Sequence, residues 1–239
     1  DEWLAKFMVP PRSLLMRKKL NEAQVYANQD GINLPKAHIL LGGETGTGKD
    51  VFARIIHEMS GRRNKNFVRA DMGAVGGGDQ FIATLFGAVR GAYTGQTNER
   101  RGLVEEAEGG TLFLNEIGNL SLESQRALLD FMQEGCYTRL GDTKLRQANV
   151  RIILATNENI NDPGKFRQDV KFRCAPAIVL PPLRDRREDI ASLARSFAGS
   201  DIILREAALK LLEFQYWHGN VRELNQVIKT AVARIGGTG

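Results

Sequence analysis

The sequence predicts an α/β fold: a five-stranded parallel sheet flanked by helices, followed by a small all-helical segment. Two observations carry this. Short, nearly continuous apolar runs alternate with amphipathic helical patterns, as parallel strands and their crossover helices require. Five such runs precede Leu183, and after Pro181-Pro182 only helical patterns remain. The expected organisation is therefore an α/β core over residues 1–183 and a helical subdomain over 184–239.

Taken in order, the first thirty-odd residues read as helical and polar, packing on the edge of the core. His38 to Leu41 form the first expected strand. Val51, Ile55, Ile56 and Met59 then share one face of a helix. The second and third strands are expected at Phe67 to Ala70 and Thr111 to Leu114. Leu128, Leu129, Phe131 and Met132 line the next helix, with Ser121 as its N-cap and Gly135 as its stop. Val150 to Ala155 and Ala177 to Leu180 complete the sheet. Most of these runs are apolar throughout, as strands covered on both faces are. Beyond them, helices are expected from Glu188 to Phe197, Arg205 to Phe214 and Val221 to Ile235. The last opens on Asn220 with Glu223 three residues later, an N-cap and its capping-box partner.

Composition narrows the function classes. With 239 residues, 42% apolar and 26% charged, the chain has room for one large domain plus a small one. No apolar run approaches the roughly 20 residues that cross a bilayer, and the N-terminus shows no secretory leader pattern. No membrane association and a cytoplasmic location are expected. Cys136 and Cys174 cannot make a disulfide framework and are read as reduced thiols. The net charge is +5, but the basic residues are scattered apart from Arg62-Arg63, Arg100-Arg101 and the run Arg184 to Arg187. They read as a solvated basic surface, and direct nucleic-acid binding by this chain is not expected.

The strongest local signal is Gly43-Glu44-Thr45-Gly46-Thr47-Gly48-Lys49, set between an expected strand and an expected helix. Glycines permit a turn whose N–H groups, with the helix N-terminus, hold the phosphates of a nucleotide. Lys49 adds a mobile charge to them, and Asp50 and Val51 complete the phosphate-binding segment. ATP with Mg²⁺ is the expected cofactor. Asp50 stands where a hydroxyl commonly ligates magnesium, although a carboxylate can also sit there. The third strand ends in Thr111-Leu112-Phe113-Leu114-Asn115-Glu116, an apolar run carrying polar groups at its C-terminal end, as in a Walker B element. Glu116 is placed to orient the attacking water. Asn115 occupies the position of the usual magnesium-holding aspartate; its amide lacks the charge, so magnesium affinity should fall unless another carboxylate compensates. Asp50, Asn115 and Glu116 are the candidate metal-shell residues.

GETGTGKD, FGAVRGAYTGQ, GGTLFLNEIGNL, VRIILATN, FRQDVKFRC, LPPLRDRREDI and WHGNVREL occur in this order. Together they resemble the central AAA+ ATPase domain of bacterial enhancer-binding proteins, the NtrC-like activators of sigma-54 RNA polymerase, from about Ile39 to Ile235. The family itself carries an acidic residue after the P-loop lysine, which accounts for Asp50. The resemblance implies that Thr156 and Asn157 form sensor 1, that Arg167 and Arg173 are arginine fingers reaching a neighbouring subunit's nucleotide, and that Arg222 is sensor 2. It likewise implies that Gly91, Ala92, Tyr93, Thr94, Gly95 and Gln96 form the loop that contacts the sigma factor. Tyr93 replaces the family's phenylalanine and Gln96 its alanine. A homo-oligomeric ring, most readily a hexamer, and the sigma-54 holoenzyme are the implied partners.

One further departure concerns catalysis. Asn115 replaces the family's Walker B aspartate, while Asp71 replaces an asparagine that the family uses as a switch on the catalytic glutamate. If strands two and three are neighbours, carboxylate and amide have traded places across one cleft. The rival is a nucleotide-gated scaffold that hydrolyses ATP poorly, or a remodeller of a different protein partner. The family's sensory domain and DNA-binding helix-turn-helix are absent from the sequence, so DNA binding is expected of a further C-terminal domain in a longer protein, or the chain is a minimal member.

Overall fold

The computed structural model describes residues 9–28, 38–92 and 98–236. Among them are nine strands: β1 His38–Gly42, β2 Phe67–Asp71, β3 Gly87–Ala88, β4 Arg100–Arg101, β5 Thr111–Asn115, β6 Cys136–Tyr137, β7 Arg146–Gln147, β8 Arg151–Thr156 and β9 Cys174–Val179. Five of them form one sheet in the order β2-β5-β8-β1-β9, with β2–β5, β5–β8 and β8–β1 paired in parallel. β3 with β4, and β6 with β7, make short antiparallel pairs.

Three of the five apolar runs have the burial they predicted. Every residue of β1, β5 and β8 is buried, as strands covered on both faces must be. At the sheet's edge, β2 leaves Arg69 and Asp71 exposed. Arg151, at the start of β8, is buried and donates to the carbonyls of Tyr26 at 2.6 Å and Ala27 at 3.2 Å. This ties the last turn of the helix Leu14–Asn28 to the sheet, a cation satisfying terminal carbonyls. On the helix Leu122–Glu134, the Ser121 hydroxyl accepts from the Ser124 N–H at 3.1 Å, and Gly135 ends it at φ 69°.

The described residues fall into two compact units. The larger contains 23–28, 38–42, 53–92 and 98–178 and has its core around Phe81, Leu85, Leu112, Phe131, Leu154 and Phe166. The smaller contains 9–22, 43–52 and 179–236, and its core gathers Leu183, Ile190, Leu209, Trp217, Leu224 and Ile228. Its helices Ile190–Ala198, Glu206–Phe214 and Asn220–Gly236 supply Ile190, Leu209, Leu224 and Ile228 of that core. Among the described residues no helix is long and apolar enough to cross a membrane.

Two local expectations need correction. β9 runs from Cys174 to Val179 rather than from Ala177 to Leu180. Pro176 lacks an N–H, yet β9 lies at one end of the sheet order, where a missing donor is tolerated. The capping box at Asn220 also fails. Glu223 does reach back, but to the N–H of Gly219 at 2.8 Å, and Asn220 takes a left-handed φ of 53° with its side chain directed elsewhere.

Candidate functional site

The smaller unit holds the glycine-rich turn Gly43 to Lys49. Gly43, Gly46 and Gly48 have φ of 136°, 79° and 103°, values that a side chain would strain. At Gly46 a Cβ would also collide with the Gly219 carbonyl, so only glycine lets the two backbones approach. The helix Lys49–Glu58 begins immediately after the turn, aligning its first N–H groups with it. Lys49 is buried, and its Nζ donates to the carbonyls of Gly43 at 2.6 Å and Glu44 at 3.0 Å. The Thr47 hydroxyl donates to the Glu44 carbonyl at 2.8 Å. Asp50 is half-buried and Val51 exposed at the start of the helix.

Around this turn stand residues from the C-terminal part of the chain. Arg184 grips Glu44 with both ends of its guanidinium, at 2.6 and 2.8 Å, and lies 5.3 Å from the centre of the Tyr216 ring. Asn220 is fully buried; its Nδ2 donates to Glu44 Oε2 at 3.1 Å and to the Thr45 carbonyl at 3.0 Å. Its Oδ1 accepts the Leu183 N–H at 2.7 Å. The Arg186 guanidinium donates to the Thr47 carbonyl at 2.7 Å, and the Val221 N–H donates to the Gly46 carbonyl at 3.0 Å. Arg184 first and Asn220 second hold the Glu44 carboxyl down to about 2. Burial pushes the Arg186 pKa down, partly offset by Asp189. Arg222 follows Val221 and is exposed beside Gly46.

These contacts correct the view of Arg184 to Arg187 as a solvated basic run, since Arg184 and Arg186 bind the turn. Sequence reasoning missed Arg184, Arg186 and Asn220 as site residues. The basic run beside Pro181-Pro182 was the one local signal for the arginines.

The larger unit carries a second group. Asp71 and Asn115 are register partners across β2 and β5, and Asn115 Nδ2 donates to Asp71 Oδ2 at 3.4 Å. Asp71 also accepts the Gly73 N–H at 3.0 Å. Glu116 follows in a left-handed conformation at φ 58°, uncommon for a residue with a side chain, and accepts from Asn119 Nδ2 at 3.4 Å. Thr156 ends β8 fully buried, its hydroxyl accepting the Glu158 N–H at 3.0 Å; Asn157 next to it is exposed. Arg167 pairs with Asp169 at 2.6 Å, which raises the Arg167 pKa and lowers that of Asp169. Arg173 donates to the Met132 carbonyl at 3.2 Å through one terminal nitrogen.

Gly91 and Ala92 follow the short strand β3, with the Ala92 N–H donating to the Val89 carbonyl at 3.2 Å. Tyr93, Thr94, Gly95 and Gln96 lie outside the described residues.

Comparison with known proteins agrees with the resemblance. Residues 12–179 match the sigma-54 interaction domain family, and residues 184–238 match the AAA+ ATPase lid domain. A Geobacillus stearothermophilus protein named limonene hydroxylase is 43% identical over 90% of this chain and 41% of its own length. The Nif-specific regulatory protein of Azospirillum lipoferum is 40% identical over 90% of this chain and 36% of its own. Among solved structures, Brucella abortus NtrX in complex with ATP superposes with a TM-score of 0.80 at 28% identity, over 96% of this chain and 53% of that one. The chain thus spans about two fifths of the curated relatives it matches.

Proposed function

This chain belongs to the sigma-54 interaction domain family and carries the AAA+ ATPase lid; from that premise we propose that it binds and hydrolyses ATP to remodel sigma-54 RNA polymerase and so activate transcription. The observation that carries the reading is the phosphate turn: three left-handed glycines, a helix N-terminus and buried Lys49 in one short segment. Such a turn fits a polyphosphate, because its N–H groups and its lysine are donors only. Residues 1–183 are the nucleotide-binding core and 184–239 the lid in this reading. Asn115 and Asp71, register partners across β5 and β2, and Glu116 next to them would hold the magnesium that accompanies ATP, which when bound supplies positive charge to the phosphate oxygens. One or two carboxylates suffice for that ion beside phosphates and water, so the donors present fit it.

Each remaining residue has a task on this reading. Glu116 orients the attacking water, and Thr156 with Asn157 senses the nucleotide. Arg222 contacts it within the subunit. Arg167 and Arg173 present planar guanidinium groups to the nucleotide of a neighbour in a homo-oligomeric ring, most readily a hexamer. Residues Gly91 to Gln96 press on the sigma factor, with Tyr93 as the aromatic contact. The work takes place in the cytoplasm, and DNA binding resides outside this segment.

The test uses purified protein with a transition-state analogue of ATP hydrolysis, followed by capture of sigma-54. Wild type should hydrolyse ATP and capture the factor, whereas Tyr93→Ala should retain hydrolysis and lose capture. Loss of both together would make Tyr93 structural and end the contact-loop role. A second reading, a nucleotide-gated module with weak turnover, is favoured by one specific residue, Asn115. Steady-state phosphate release separates the two.

A further inference from the structure

A turn with three left-handed glycines is permissive, and ordering its backbone costs conformational entropy. Nucleotide affinity therefore depends on what orders the turn beforehand. The glycines themselves offer no side chain for that purpose. Glu44 is the turn's only charged residue before Lys49, and its carboxylate is engaged at both oxygens. Arg184 meets both in a fork, and Asn220 meets Oε2 from a fully buried position. Asn220 is fixed in turn by the Leu183 N–H and reaches the Thr45 carbonyl as well. It takes up a left-handed backbone to do so. The Glu44 carbonyl, on the same residue, is one of the acceptors of the Lys49 ammonium. Where Glu44 is held thus sets where the lysine charge sits.

We propose that Glu44, Arg184 and Asn220 form a latch that shapes the phosphate turn and positions Lys49 before nucleotide binds. Arg184 and Asn220 are positioning residues: they act on the nucleotide through the turn. The latch rests on the reading of the turn as a nucleotide site. Its specificity is geometric. Lysine at 184 would keep the charge but lose the fork that engages both oxygens.

The experiment is a titration of the whole chain with a fluorescent ADP analogue in magnesium buffer. The variants are Glu44→Gln, Arg184→Met, Arg184→Lys and the double Glu44→Gln/Arg184→Met. Glu44→Gln and Arg184→Met should each raise Kd about fivefold, the upper end for a partly exposed ion pair. The double variant should be no weaker than the weaker single one, because the two residues serve one contact. Arg184→Lys should fall between wild type and Arg184→Met, and it stands in for Arg184→Met should that variant fail to fold. A purely structural role would lower the thermal midpoint while leaving Kd of the folded protein unchanged; that result, or strict additivity, overturns the latch. A wild type with no ADP binding overturns the nucleotide reading itself, and the latch with it.

Discussion

Replacing Asn220 by alanine should destabilise the protein by about 3.5 kcal/mol. Three contributions build this figure. The Leu183 N–H, on a fully buried residue, loses its acceptor at 2.7 Å, and a buried donor left unsatisfied costs about 2 kcal/mol. Glu44 keeps Arg184, and Thr45 is exposed, so water and the guanidinium compensate most of the lost donors, leaving about 0.5 kcal/mol. Alanine at φ 53° adds about 1 kcal/mol, since it lacks asparagine's local tolerance of that region. The assay is urea unfolding with the slope m held constant, so that the shift in midpoint reports stability alone. Asn220→Gly separates the contributions: it loses the same hydrogen bonds but relieves the backbone, and should recover about 1 kcal/mol. A loss below about 1 kcal/mol for alanine, or equal losses for alanine and glycine, would refute the reasoning.

Three further outcomes are expected. Asp71→Asn should weaken magnesium-dependent ATP binding, and Asn115→Asp should set two carboxylates on facing register positions and raise the pKa of one of them. The double exchange should match or exceed wild-type turnover, and a double-mutant cycle on ATPase rate that proves additive would mean the two residues share no task. Glu44, held at about 2 against an ordinary 4.5 chiefly by Arg184, contributes stability that is complete above its ordinary range and lost as pH falls toward 2. Wild type and Glu44→Gln, compared by urea unfolding, should therefore differ by a constant amount between about pH 5 and 8 and converge at lower pH. A gap that widens on acidification would reverse the assignment. Arg173→Ala should keep nucleotide binding but lose turnover by about 10³-fold, and mixing it with Glu116→Ala subunits should restore part of the rate. Mixed rings without recovery would exclude a finger acting between subunits.

Much of the sheet was legible because parallel strands covered on both faces need apolar side chains at every position, and β1, β5 and β8 have them. Glycine and serine at the ends of the helix Leu122–Glu134 were legible for a similar reason: caps are local chemistry. β9 was misplaced because Pro176 reads as a breaker unless the strand's position in the sheet is known. Asn220 was misread on a wider scale. Its capping preference is a property of its neighbours in sequence, but its partners are Leu183, 37 residues away, and Glu44, 176 residues away. No periodicity reports a contact of that span. The glycine-rich turn was readable as a motif, whereas its distant partners were not.

The span of the Glu44–Arg184 contact also has a temporal side. The two residues are 140 positions apart, and a ribosome adding roughly 5–20 residues per second leaves about 7 to 28 seconds between them. For that interval the nascent turn has its glycines and its lysine but none of Arg184, Arg186 or Asn220. On the proposed function, the newly made chain should hence gain the latch's roughly fivefold in nucleotide affinity late in translation, as the region of Leu183 to Val221 emerges.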